Sequence, residues 1–318
     1  MSRQYYRDQK SWRDLQRFLP ERLRLTVDTE PDEEFWDWRG NDVHLDCYRN
    51  PVAPAKVLLH HGVGTNGRQM TLILGAPLAR RGYEVISVDD LGYGMTGVAP
   101  GGPFTYADWV QLTLDLIAAE RARDDRPIVL YGLSAGGMLA YHVAAALPKD
   151  SLAGIVGMTF LDQRVRRVRD GTAHDLLTSR LGVPAMGLVA DTPLGRLRYP
   201  MRAASKMSKL VNNREAMRVL NKDKSSASNA MTLAFLSSYM TYAPATEPAE
   251  FDTCPVLLTQ PAEDRWTPEE LSEPVLSAIR KVPVEVTRLA GAGHYPLEDP
   301  GLHQLEGAVA DFVARTTA

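Results

Sequence analysis

The sequence predicts an α/β protein with a mostly parallel central sheet. Three observations carry this. Short apolar runs such as KVLLHHG, EVISVDD and PIVLYGLS recur along the chain, helix-patterned stretches separate them, and glycine-rich turns follow several of them. Parallel neighbours need crossover connections, and right-handed crossovers place helices on both faces of the sheet. With 318 residues, 44% of them hydrophobic and 24% charged, the chain can bury a substantial core without staples.

At the N-terminus, Trp12, Leu15, Phe18 and Leu19 have roughly helical spacing among many charges, which predicts an amphipathic helical extension over residues 1–22, packed on the body in preference to the alternative of a membrane-surface anchor. RLRLTV (22–27) alternates like an early strand. EEFWDWRGNDVHLDCY reads as a hairpin turning at Arg39-Gly40-Asn41. KVLLHHG (56–62) fits a buried strand, residues 68–82 a helix ending at Gly82, and EVISVDD (84–90) the next strand. The loop LGYGMTG and a turn at Pro100-Gly101-Gly102-Pro103 lead into a helix from Tyr106 to Arg123, with Trp109, Leu112, Leu116 and Ala119 on one face. PIVLYGLS (127–134) is a strand, AGGMLAYHVAAAL a helix and GIVGMTF (154–160) a further strand. PVLLTQ (255–260), VEVTRL (284–289) and a helix over about 301–315 complete the series.

Residues 161–250 interrupt that rhythm. The segment is rich in methionine, poor in strand-like runs and has a clear excess of Lys and Arg, whereas the rest of the chain is net negative. It reads as a helical cap inserted into a core of residues 23–160 and 251–318. Its charge either solvates helix faces or attracts anionic substrates, and composition leaves both open.

Composition narrows the function classes. Lys plus Arg is 36 against 39 for Asp plus Glu, a net charge of −3, which argues against a generally basic nucleic-acid binder. Two distant cysteines, Cys47 and Cys254, encode neither a disulfide framework nor a cysteine zinc site. The sequence has no H-E-x-x-H pattern, and GVGTNG (62–67) lacks the spacing and ending of a phosphate loop. No cofactor and no metal are therefore expected. The first residues lack an apolar signal core, and no run is long enough for an integral membrane segment, so a cytoplasmic location is the expectation.

The strongest chemical signal is Gly132-Leu133-Ser134-Ala135-Gly136, placed between a strand and a helix. A serine in such a sharp turn needs neighbours without side chains, and the following helix N-terminus favours developing negative charge. A serine hydroxyl also needs a base. Of seven histidines, His294 in GAGHYPLEDP follows the last strand and opens a glycine-flanked loop. His142 falls on the helix after Ser134 and should be packed or solvated, and His303 should lie on the surface. The orienting acid is assigned to Asp264, just past the strand PVLLTQ, with Asp162 and Glu263 as alternatives. Backbone N–H groups of Ala135 and Val63 are the expected oxyanion donors, the latter in the loop His61-Gly62-Val63-Gly64. His60 and His61 are adjacent on a strand end and should point apart, which suits loop support better than a metal pair.

Together HHGVG, VDDLGYGMTG, GLSAGG, PAED and GAGHYPLEDP resemble the α/β-hydrolase superfamily, in its branch of capped esterases, monoacylglycerol lipases and lysophospholipase-like enzymes. The resemblance covers roughly residues 23 to 316 and implies the α/β-hydrolase fold, with the cap after the sixth strand. The order Ser134, Asp264, His294 matches that superfamily's order of nucleophile, acid and base. Serine at the nucleophile position argues against dehalogenase and epoxide-hydrolase chemistry, and HGVG departs from the HGGG loop of some lipases. The implied activity is a cofactor-independent serine hydrolase acting on an ester, thioester or lactone of a small or lipid-like substrate. Peptide or amide hydrolysis, C–C bond hydrolysis and a non-catalytic binding protein on the same fold are the alternatives.

Overall fold

The computed structural model describes residues 3–100 and 104–318, so most of the turn expected at Pro100 to Pro103 lies outside the described residues. The chain begins with a strap of short turns around α1 (Ser11–Leu15), and Tyr6, Trp12, Leu15 and Leu19 are buried against the body. The hairpin follows as β1 (Asp32–Trp38) and β2 (Asn41–Tyr48), then β3 (Lys56–His60). Next comes one helical run made of α2 (Gly67–Met70), a wider π turn (Thr71–Gly75) and α3 (Ala76–Arg80). β4 (Glu84–Val88), α4 (Tyr106–Arg123), β5 (Ile128–Gly132), α5 (Ala135–Ala145) and β6 (Gly154–Gly157) continue the alternation.

Between residues 161 and 250 the elements are short. They comprise α6 (Arg166–Thr172), α7 (Val183–Val189), a ribbon of β7 (Arg198–Pro200) with β8 (Ala230–Thr232), α8 (Met201–Ala204), α9 (Arg214–Leu220) and α10 (Leu233–Thr241). The chain then returns to the sheet as β9 (Val256–Pro261), α11 (Glu273–Leu276), β10 (Val284–Leu289) and α12 (Gly301–Thr316).

The large sheet has eight strands in the order β1-β2-β4-β3-β5-β6-β9-β10. The β1–β2 and β2–β4 pairs are antiparallel, and every pair from β4 to β10 is parallel. All residues of β3, β4 and β5 are buried, as expected where helices cover both faces of a parallel sheet. Parallel strands deliver their carboxyl ends to one edge, so the loops after β3, β5, β9 and β10 gather there. Among the described residues no helix is long and apolar enough to cross a membrane.

One expected strand does not form. Leu23 and Leu25 of RLRLTV are buried, but the backbone makes a 3-10 turn at Glu21–Leu23 and a bend closed by Thr29 N–H donating to the Thr26 carbonyl, 2.9 Å. Alternating burial without a neighbouring strand leaves this segment bonded to itself and to side chains such as Gln16.

Candidate active site at the strand edge

The loop after β5 turns sharply. Ser134 sits at φ 56°, ψ −117°, a strained region for a residue with a side chain. The turn closes because its flanks are glycines: a Cβ on Gly132 would meet the Gly136 carbonyl oxygen at 1.9 Å, and one on Gly136 would meet the His60 oxygen at 2.6 Å. Ser134 is the N-cap of α5, and Ala135 is its first residue. Its N–H therefore has no partner within the helix, at an end where the helix dipole favours negative charge.

The loop after β3 passes directly over the serine. A Cβ on Gly62 would come within 2.8 Å of the Ser134 Cβ. Hydrogen bonds fix this loop around Val63: Gly62 N–H donates to Thr65 Oγ1 at 3.0 Å, and Tyr93 Oη donates to the Val63 carbonyl at 2.7 Å. His61 lies 2.8 Å by Nδ1 from the Gly62 carbonyl and accepts the Asp90 N–H at Nε2, 3.1 Å. Those two contacts select the neutral tautomer with the proton on Nδ1. His60 instead faces Asp90, with Nδ1 3.3 Å from its carboxylate. The two histidines thus brace the loop by separate contacts.

His294 and Asp264 meet from neighbouring loops. His294 Nδ1 lies 2.8 Å from Asp264 Oδ2, and both side chains are almost wholly buried. Asp264 also accepts the N–H groups of Trp266 and Thr267 at 2.8 Å and the Thr267 hydroxyl at 2.7 Å. Burial pushes this carboxyl up, but the facing imidazole and the Thr267 donors outweigh it and hold it below its ordinary value. The Trp266 ring leans against His294 with centroids 4.7 Å apart and planes tilted by 42°, and its indole N–H donates to the Thr172 carbonyl at the end of α6, 3.0 Å. His294 Nε2 is buried without a hydrogen-bond partner among the described residues.

The alternative acids are committed elsewhere. Asp162 is paired with Arg164, which also holds Glu247, while Glu263 is exposed and its backbone carbonyl accepts from Asn212. His142 is packed in a ring of tyrosines with Nδ1 3.1 Å from Tyr106 Oη, burial lowering its pKa to about 3. His303 is exposed.

Ser134 opens into a cavity with Val63, Trp266 and Thr267 on one side and residues of the 161–250 segment on the other. Ala173, Ala204, Leu236 and Met240 are shared with an adjoining cavity of about 450 Å³, which continues past Leu177, Leu181 and Met186. These walls were invisible in the sequence except as a methionine-rich composition. Thr267 and Trp266 were missed as well, although both lie within three residues of Asp264.

One further cluster has ligand-like spacing, Glu33, His44 and Asp46. Its carboxylates are already engaged: Arg68 reaches Asp46 through Nε at 2.6 Å and Nη2 at 2.9 Å, and His44 Nε2 lies 3.0 Å from Glu33. A guanidinium occupies the place a cation would need.

Comparison with known proteins agrees with the fold. The family model described as "Alpha/beta hydrolase family" matches residues 57–302. Lipase LipV of Mycobacterium tuberculosis is 34% identical over 135 residues, 41% of this chain and 47% of that protein. Mouse protein phosphatase methylesterase 1 is 25% identical over 162 residues, 51% of this chain and 40% of that protein. The matches thus span less than half the length of these curated relatives. Among solved structures, a soluble variant of Saccharomyces cerevisiae monoglyceride lipase superposes with a TM-score of 0.72 at 18% identity, covering 94% of this chain and 98% of its own. The monoacylglycerol lipase of Paleococcus ferrophilus gives 0.68 at 18% identity, over 86% and 99%. With its parallel sheet, its serine elbow and a model match over most of its length, this chain belongs to the alpha/beta hydrolase family.

Proposed function

We propose that this chain is a serine hydrolase of carboxylic esters that carry an apolar chain. The observation that carries the reading is that the narrow Ser134 cavity shares the walls Ala173, Ala204, Leu236 and Met240 with the larger apolar one lined by Leu177, Leu181 and Met186, which we read as one apolar passage. An apolar passage of that kind favours hydrocarbon over peptide, because each buried methylene contributes about 0.8 kcal/mol. The lipase and esterase names among the relatives support the ester class.

In this reading Ser134 Oγ attacks the ester carbonyl as His294 Nε2 takes its proton. The N–H groups of Ala135 and Val63 stabilise the oxyanion, and Asp264 on Nδ1 holds the ring and stabilises the imidazolium. His294 then protonates the departing alcohol, leaving an acyl-enzyme. A water, deprotonated by the same nitrogen, releases the acid and restores the serine. The segment 161–250 acts as a cap whose short helices shape the acyl passage.

A fluorophosphonate should label Ser134, and Ser134→Ala should abolish both labelling and turnover. Across p-nitrophenyl esters of two to twelve carbons, kcat/KM should rise about threefold to fourfold per methylene until the passage is full. A flat profile with faster cleavage of aminoacyl-p-nitroanilides replaces the esterase reading with a peptidase one.

A further inference from the structure

A third cavity, of about 250 Å³, lies between the 161–250 segment and the loop after β9 and shares no lining residue with the two described above. Its charged groups are Lys209, Arg214, Arg218 and Arg265. They come from three separate stretches: the turn before α9, α9 itself and the loop after β9. Among the described residues none of the four pairs with a carboxylate, and no Asp or Glu lines the cavity. All four are exposed, as are other unpaired cations such as Arg280, but these four converge on one cavity, whereas Arg49, Arg126 and Arg164 each meet two or more acids. Arg214 and Arg218 also stand one turn apart on the same helix, a like-charge pair that weakens α9 unless a counter-ion bridges it.

We infer that this cavity is a binding site for a phosphate-bearing anion, of monophosphate to diphosphate size. The planar forks of Arg214, Arg218 and Arg265 can each grip two phosphate oxygens, and Lys209 adds a point charge. Asn221, one turn beyond Arg218, offers an amide at the same wall. Val211 and Met217 are buried beneath and give the charges a fixed floor.

The position ties the anion to the proposed catalytic loops. Arg265 directly follows Asp264. Asn212, another lining residue, donates to the Glu263 carbonyl at 3.1 Å and packs on Gly293, the neighbour of His294. Leu210 accepts the Tyr295 N–H at 2.7 Å, and its side chain and that of Met207 press on Gly64 of the loop over Ser134. A bound phosphate would therefore clamp the 207–221 stretch to the acid loop. The phosphate has two possible sources, a group carried by the ester substrate or a free phosphate effector.

Calorimetric titration of the intact protein with inorganic pyrophosphate tests the site without reference to hydrolysis. At physiological salt, saturable one-to-one binding is expected. Arg218→Gln and Arg214→Gln should each weaken it at least about tenfold, while Arg280→Gln, an exposed cation elsewhere, should bind as the wild type does. Circular dichroism melts check that each variant is folded. Unsaturable binding, or equal weakening in Arg280→Gln, overturns the site as general ionic attraction. The source is read from two esters, a neutral one and one with phosphate on its alcohol side, and this arm alone rests on the hydrolase reading. Pyrophosphate competing only against the phosphorylated ester identifies a substrate group, and a changed kcat for the neutral ester identifies an effector. If pyrophosphate binds but alters neither, the linkage to the catalytic loops is overturned.

Discussion

The sheet and the 161–250 segment solve opposite problems. β3, β4 and β5 are buried along their whole length, every residue of α5 is buried, and the turn at Ser134 tolerates no side chain on its flanking glycines. Apart from the run that joins a π turn (Thr178–Gly182) to α7, the 161–250 helices have four to nine residues, too short to hold their shape without packing. That segment also leaves Leu177 67% and Leu188 84% exposed. One region fixes the turn at Ser134 by close packing. The other is less tightly packed. Proposed chemistry and proposed substrate fit are thereby assigned to different parts of the chain.

The largest effect should come from the sheet edge. Asp264→Asn is expected to lower kcat by about 10²–10⁴ with little change in KM, while Asp162→Asn, on a residue already paired with Arg164, should cost far less. Equal losses in steady-state assays would erase the division between the regions, since Asp162 belongs to the segment. An intermediate effect should come from the segment itself. Ala204 is shared by both cavities, so Ala204→Leu should plug the passage. The kcat/KM for a decanoate ester should fall about 10–50-fold, the equivalent of two or three methylenes, while the acetate ester is spared. If acetate suffers as much, the substitution has disturbed the sheet edge and the two regions are not separable.

The smallest effect concerns stability under the sheet. Burial lowers the His44 pKa, but the facing carboxylates of Asp89 and Glu33 outweigh it and raise it to about 9 from an ordinary 6.5. The contact with Asp89 is close, 2.9 Å, yet not aligned as a hydrogen bond. A raised folded-state value means that the contribution is fully present below about pH 6.5 and fades as pH rises through about 9. Melting temperature should therefore decline across that window, and His44→Gln should flatten the decline. An unchanged slope in the variant would assign the effect to another group.

Much of the fold was legible because the sheet obeys simple periodicity. The helix Tyr106–Arg123 and the strand Val284–Leu289 lie where the pattern put them, and the loops carrying Ser134, Asp264 and His294 follow strands that apolar runs announce. RLRLTV misled because alternation reports which side chains are buried, not whether a neighbouring strand exists to accept the backbone. The 161–250 segment was legible only as a composition. Its β7–β8 ribbon has three residues per strand, below any useful period, and its cavity walls are made by tertiary contact. Trp266 and Thr267 escaped for a related reason: a tilted indole or a second hydroxyl on a carboxylate leaves no spacing signature.

The N-terminal strap has a consequence for the order of events during synthesis. Tyr6 Oη donates to Asp89 Oδ1 at 2.9 Å, the Tyr6 and Arg7 N–H groups donate to Glu33, and the Arg68 guanidinium lies over the rings of Tyr6 and Trp12 at 4.8 and 4.5 Å. These partners lie 26 to 83 residues downstream. At a translation rate of about 5–20 residues per second, the strap waits several seconds outside the ribosome before Asp89 emerges. The strap, made before these partners, is thus among the later segments to seat. Throughout that interval two large aromatic rings stay unburied, and a nascent-chain chaperone would meet them before the sheet does.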